Sequence, residues 1–384
     1  MRIFNPNEGG LMQSSSSSWK SILIAALAVL AIQPTFSLAG EPPGLAKALE
    51  AQKRHTEVLM NLPGVVGTAV SWTSTGQPLV KIYTERIGIG GLPKDLDGVP
   101  VVLEVTGRIQ ALGAPPCKGP NANDPECQNS GGGGVDPTSK FQTPVPIGVS
   151  AGNMESIQQV LSLVNCTTGT LGARVKDSNG NLYALSNNHV FALSNMATPH
   201  SQIVQPGPAD ADPVCSQDLS HYNPIGTLEP FESINFSQGS TNTIDAAMAK
   251  VDSNTVGNAT PSDGYGIPQN ALMTCNSDCS NLSNLAVQKY GRTTGLTKGT
   301  ITGINVTISV DYNAGTTIFT DQIEISAIGK GAFIKSGDSG SLLVTDPTAK
   351  PVGLIFAGDR RGKMGFANRI DLVLNRYHVT IDGQ

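Results

Sequence analysis

The sequence predicts a mostly β protein of two barrels with a C-terminal helix, preceded by a small α+β unit, and three observations carry that reading. Only 14% of the 384 residues are charged and 5% are aromatic, while Gly, Ser, Thr and Asn abound. That mix suits loop-rich β proteins of the secreted type and not helical bundles. Beyond Pro144, short β-type runs recur with turn signals such as Ser178-Asn179-Gly180 between them, a strand density that points to closed barrels or sandwiches. The length accommodates two or three domains, each with its own core. A formal net charge of −5, with no run of Lys or Arg, excludes a nucleic-acid binder.

In chain order, residues 1–39 read as an export signal. Arg2 and Lys20 are positive, Ser21 to Ile32 is apolar but short of the ~20 residues a spanning helix needs, and Ser37-Leu38-Ala39 offers a cleavage site. Residues 44–110 form the small α+β domain, a propiece or accessory module. Its helix runs from Gly44 to Leu62, with Leu45, Leu49, Val58, Leu59 and Leu62 near helical spacing and Pro63-Gly64 as the stop. Strands are predicted over Val65–Trp72, Pro78–Glu85 and Val99–Gly107, with a short helix at Leu92–Leu96. Residues 111–142, rich in Gly and Pro, read as a flexible linker. Residues 143–384 hold the β runs, and the late helix is Arg369–Tyr377.

All six cysteines lie beyond the signal, and export permits disulfides. Proximity favours Cys117–Cys127 and Cys275–Cys279, which leaves Cys166–Cys215 as the long-range bridge; a mixture of paired and free thiols stays open. No CxxC or His pair gives zinc spacing, so neither a metal nor a cofactor is expected. Asp95-Leu96-Asp97 and Asp210 to Asp212 have calcium-ligand chemistry but read more simply as acidic turns.

The chemistry concentrates in Ser336-Gly337-Asp338-Ser339-Gly340, a turn that can present a hydroxyl and aim backbone N–H groups at one point. Upstream stand Ser186-Asn187-Asn188-His189-Val190 and Thr243-Ile244-Asp245-Ala246-Ala247-Met248. The order His189, Asp245, Ser339 is that of one triad lineage; common ester hydrolases place Ser before Asp and His.

From Pro144 to His378 these segments resemble the trypsin-like, chymotrypsin-fold serine peptidases of the bacterial secreted type. Gly337-Asp338-Ser339-Gly340 matches that family's nucleophile signature, and Tyr290 to Gly299 looks like a segment of its bacterial members. Val352 to Gly358 resembles the substrate-lining strand, and Gly365-Phe366-Ala367-Asn368 the strand behind the specificity pocket. The resemblance implies two six-stranded antiparallel Greek-key β-barrels and a polypeptide substrate. It also implies a His189–Asp245–Ser339 triad acting through an acyl-enzyme, with an oxyanion hole from the N–H groups of Gly337 and Ser339. Asp338 is expected to hold the oxyanion turn by an ion pair, with a freed amino terminus in some members and an internal cation in others.

Departures narrow the specificity. Val190 stands where a cysteine often follows the histidine, and Phe333, six residues before Ser339, lies at the expected base of the primary pocket. With Phe356, Gly358 and Gly365 as further pocket residues, a small or medium apolar side chain is expected and a basic one is not. Ile147-Gly148-Val149-Ser150 faintly resembles a zymogen's new amino terminus. The expectation is a secreted serine endopeptidase; the alternative is an inactive homologue serving as a binding module.

Overall fold

Two curled β sheets dominate the computed structural model, which describes residues 43–111, 113–115, 134–160 and 163–384. The expected signal at 1–39 and the Cys117–Cys127 bridge lie outside these residues. The described residues, from 43 onward, form one compact unit. The first sheet has eight strands in the order 379–381, 173–177, 182–186, 247–251, 223–228, 202–205, 150–153 and 169–170. In the second, 286–291, 295–312, 315–327, 364–369, 351–359 and 342–345 pair in succession, and 342–345 returns to 286–291. Those six strands therefore close a ring, and the fold is the chymotrypsin-like double β-barrel.

The barrels meet on a shared apolar cluster. Leu185 and Met248 from the first pack with Leu342 and Leu354 from the second. The C-terminal helix Ile370–Tyr377 adds Ile370, Val373 and Leu374. Each such side chain, fully buried, contributes ~1.5–3 kcal/mol. The strand 223–228 escaped the sequence reading because it carries Pro224 and Gly226. That glycine is required, since a Cβ there would lie 2.2 Å from the Lys250 carbonyl oxygen.

The N-terminal helix Leu45–Met60 and the strands Val65–Trp72, Pro78–Thr84 and Val99–Val105 form where the spacing predicts. Two details differ. The helix buries Leu45, Ala48, Ala51, Gln52 and Leu59, whereas Val58 is exposed; the small alanines let the helix lie close to its sheet. Leu92–Leu96 is not helical: Asp95–Leu96 is a short strand paired with Val99–Pro100.

These strands extend the second sheet. Val65–Trp72 pairs antiparallel with the outer half of Gly295–Tyr312. The contact is sealed by Glu324, fully buried, which accepts from Lys81 Nζ at 2.8 and 2.9 Å and from Tyr83 Oη at 2.6 Å. Downstream, the Gly/Pro-rich stretch is tied down where it is described: Ile109–Ala111 is a strand, Ala114 bridges Thr168, and Val135 N–H donates to Asp263 at 2.9 Å. Cys166–Cys215 and Cys275–Cys279 are both bonded. No helix of the described residues is long and apolar enough to cross a membrane.

Burial raises the pKa of all seven tyrosines, modestly at Tyr183, to about 12 at Tyr222 and further at Tyr83 and Tyr312. The folded values lie above the unfolded one of about 10, so the native state binds more protons there. The stabilisation is complete below about pH 10 and is lost as pH rises through the folded values. At about pH 10.5 the folded protein should show little tyrosinate absorbance at 295 nm, which then appears together with unfolding. A smooth titration near pH 10 with unchanged circular dichroism would contradict this packing.

Candidate active site

The site lies where both barrels present loops. The strand Leu182–Ser186 ends at Asn187, whose carbonyl accepts from the N–H groups of Val190 and Phe191 and so starts one helical turn. The two asparagines anchor that turn. Asn187 Nδ2 donates to the Asp245 carbonyl at 2.7 Å, and Asn188 Nδ2 to the Glu232 carbonyl at 2.6 Å.

His189 is thereby held against Asp245. The ring Nδ1 lies 2.6 Å from Asp245 Oδ2, and the His189 backbone N–H donates to Oδ1 at 3.1 Å. Asp245 is fully buried, and its carboxylate can only accept. Nδ1 therefore carries the proton, and Nε2 is left as an acceptor. Nε2 is buried and makes no hydrogen bond among the described residues.

A third donor reaches the carboxylate: Tyr312 Oη, at 2.9 Å from Oδ2, with its ring edge-on to the His189 ring at 5.7 Å. Burial and the Asp245 charge keep the Tyr312 phenol protonated far into alkali. Sequence reasoning missed this residue, which sits at the very end of the long strand Gly295–Tyr312. Asn368 is a second addition: its Oδ1 accepts from the Asp245 N–H at 2.9 Å, and its Nδ2 donates to Gln322 at 2.7 Å.

Ser339 stands on a turn that only glycine permits at two positions. Gly337 and Gly340 both have φ near +95°. A Cβ on Gly337 would lie 2.6 Å from Thr293 Oγ1, and one on Gly340 would lie 2.3 Å from the Thr170 carbonyl oxygen. Ser339 Oγ donates to the Phe356 carbonyl at 3.2 Å. The Ser336 carbonyl accepts from the buried Thr293 Oγ1 at 2.6 Å. In a planar trans peptide the N–H points opposite, so the Gly337 N–H faces away from the threonine.

The internal cation for Asp338 is Lys289. Both are fully buried, with Nζ 3.2 Å from Oδ2. The Asp338 carboxylate also accepts from the N–H groups of Thr293, Thr294 and Lys335 at 2.9, 3.1 and 2.9 Å. Burial lowers the Lys289 pKa, and the Asp338 charge works against that shift. No freed terminus is needed, which corrects the reading of Ile147: that residue is buried and its N–H is bonded to the Ala259 carbonyl. Asp210, read as a possible acidic turn, instead grips the buried Arg292, with Nε 2.8 Å from its Oδ2.

Phe333 is fully buried, and Cβ atoms built on Gly299 and Gly365 would each lie 3.1 Å from its ring. The ring thus fills the space between two glycine-bearing strands. Phe356 does not join it: strand alternation turns that ring into the core against Phe319, 4.9 Å away. Only the Phe356 carbonyl reaches the site. Val190 packs on Gly169, where an added Cβ would meet it at 2.5 Å.

The fold and this arrangement define a protein of the chymotrypsin-like double-barrel class. The model of the Nal1 C-terminal domain matches residues 249–379. A comparison with curated protein sequences gave no match. Among solved structures, the chain is similar to a glutamic acid-specific serine protease at 16% identity, over 62% of this chain and 100% of that one, with a TM-score of 0.40. It is similar to Thermobifida fusca protease A at 18%, over 56% and 92%, with a TM-score of 0.37. The corresponding values for the Cellulomonas bogoriensis chymotrypsin are 19%, 56%, 91% and 0.36.

Lys289→Met leaves Asp338 buried and unpaired, a loss of about 3–5 kcal/mol for a broken buried pair. Chemical denaturation should show a drop of that order, whereas an unchanged midpoint would mean the pair does not hold the turn.

Proposed function

We propose that this chain is an exported serine endopeptidase. The observation that carries the reading is the buried His189–Asp245 pair, with Nδ1 protonated and Nε2 open, beside a glycine-bounded turn bearing Ser339. Ser339 Oγ attacks the substrate carbonyl while His189 Nε2 takes its proton and later gives it to the leaving amine. Asp245, braced by Tyr312, steadies the imidazolium. The N–H groups of Gly337 and Ser339 receive the oxyanion, where one donor is worth ~10²–10³ in turnover. Export is supported by the signal-like first 39 residues and by the two disulfides.

A fluorophosphonate probe tests this reading. Wild-type protein should label and Ser339→Ala should not; a folded wild-type protein that fails to label supports the inactive binding module instead. Tyr312→Phe removes one hydrogen bond to a charged group, about 1.5–3 kcal/mol, and should lower kcat/KM roughly 10- to 100-fold while leaving labelling detectable.

Phe333 sets the substrate class as polypeptides with small or medium apolar side chains before the cut. Phe333→Ala should cost about 3–5 kcal/mol in stability and shift the cleavage profile of a peptide library towards bulkier residues. A profile that stays the same would remove Phe333 from the pocket.

A further inference from the structure

Two surface loops beside Phe333 concentrate positive charge on a chain whose formal net charge is −5. Residues 328–335 and 359–363 together carry Lys330, Lys335, Arg360, Arg361 and Lys363 but a single acid, Asp359. Hydrogen bonds stitch the two loops into one surface. The N–H groups of Phe333 and Ile334 donate to the Gly362 carbonyl at 2.7 and 3.2 Å, and the Ala327 N–H donates to the Lys363 carbonyl at 2.8 Å. Lys363 Nζ caps the carbonyls of Lys330 and Gly331.

The loops' own acid does not cancel this charge. The Asp359 side chain is fully buried and turned inward, accepting from the Met364 N–H at 2.8 Å and from Arg361 Nε at 3.1 Å. Lys330 and Arg360 are exposed. Neither they nor Lys363 meet a carboxylate among the described residues. Apolar side chains stand among the cations. Ile328, 58% exposed, opens the first loop with its N–H donating to the Lys298 carbonyl at 3.2 Å. Leu296, two residues before Lys298, shares that strand face.

This surface adjoins the chemistry. Lys335 runs directly into the Ser339 turn, and Arg360 lies four residues beyond Phe356, whose carbonyl is 3.2 Å from Ser339 Oγ. Four residues of strand span about 13 Å. Charges more than ~8 Å apart are largely screened at physiological ionic strength, so the cations act on groups laid against them. A long polyanion would also meet the excess of acids elsewhere on the chain. A short acidic segment of polypeptide would not, and its apolar side chains would match Ile328 and Leu296. We propose that these loops dock acidic segments of polypeptide substrates, with Asp or Glu within about four residues of the bond cut at Ser339. The cutting rests on the hydrolase reading given above; the docking does not.

The test uses full-length Ser339→Ala, which cannot cut, and a fluorescent glutamate-rich peptide beside a twin with glutamine in place of each glutamate. Anisotropy should show the acidic peptide binding about tenfold tighter or better, with the difference shrinking as salt rises. Adding Lys330→Gln and Arg360→Gln should abolish the preference. Adding Lys47→Gln and Lys250→Gln, an equal loss of charge elsewhere, should keep it. With wild type, a peptide library should show Asp and Glu enriched near the cut. Equal binding of the twin peptides, or a preference that survives the Lys330 and Arg360 changes, overturns the docking surface. If wild type still takes a fluorophosphonate label, the hydrolase stands without it. Displacement of the peptide by dextran sulfate of matched charge at lower concentration overturns the assignment to polypeptide. Acidic-peptide binding by a wild-type protein that never labels keeps the docking surface and defeats the hydrolase.

Discussion

A carboxylate with no access to water has to be met by charge and donors, and Asp338 imposes that demand on the whole site. Lys289 answers the charge, three backbone N–H groups and Thr294 Oγ1 fill its remaining acceptor positions, and each comes from a segment that has to be in place. Gly291 lets the carboxylate approach: a Cβ there would lie 2.5 Å from Asp338 Oδ1. The strand 286–291, the turn after it and the nucleophile loop are therefore fixed relative to one another before any ligand arrives. Buried pairs of this kind add little net stability, but they penalise every alternative arrangement of the loop.

A second constraint joins the N-terminal strands to the chemistry. The 18-residue strand Gly295–Tyr312 closes the second barrel with one half and receives Val65–Trp72 along the other. Tyr312 is its last residue, and it reaches across to Asp245. Strand pairing over Ile304–Ile308 thus sets the position of a hydroxyl a few residues further along the same half. The buried Glu324, shared by Lys81, Tyr83 and Thr302, fastens the same hairpin from the opposite side.

Much of this was legible in the sequence where the signal is local. The serine turn shows because glycine at 337 and 340 is a conformational requirement, and most strand runs show because their turn residues bracket them. His189 and Asp245 stood out by order and by their apolar flanks. Tyr312, Lys289 and Asn368 did not, because their partners lie 67, 49 and 123 residues away. Those meetings depend on strand register, which bulges between Ile301 and Ile308 shift. Ile109–Ala111 and Ala114 were hidden for another reason: they border a Gly- and Pro-rich stretch that matches a linker, while backbone bonds to other strands and the burial of Ile109 and Ala114 hold them in place.

The strand Val65–Trp72 has one further consequence. It covers backbone N–H and C=O groups of Gly295–Tyr312 that would otherwise face water as an open edge. A bare edge of that length is a template for pairing with another molecule. Trimming the chain back to its barrels would exchange a covered strand edge for an adhesive one, so the N-terminal strands also act as a guard against self-association.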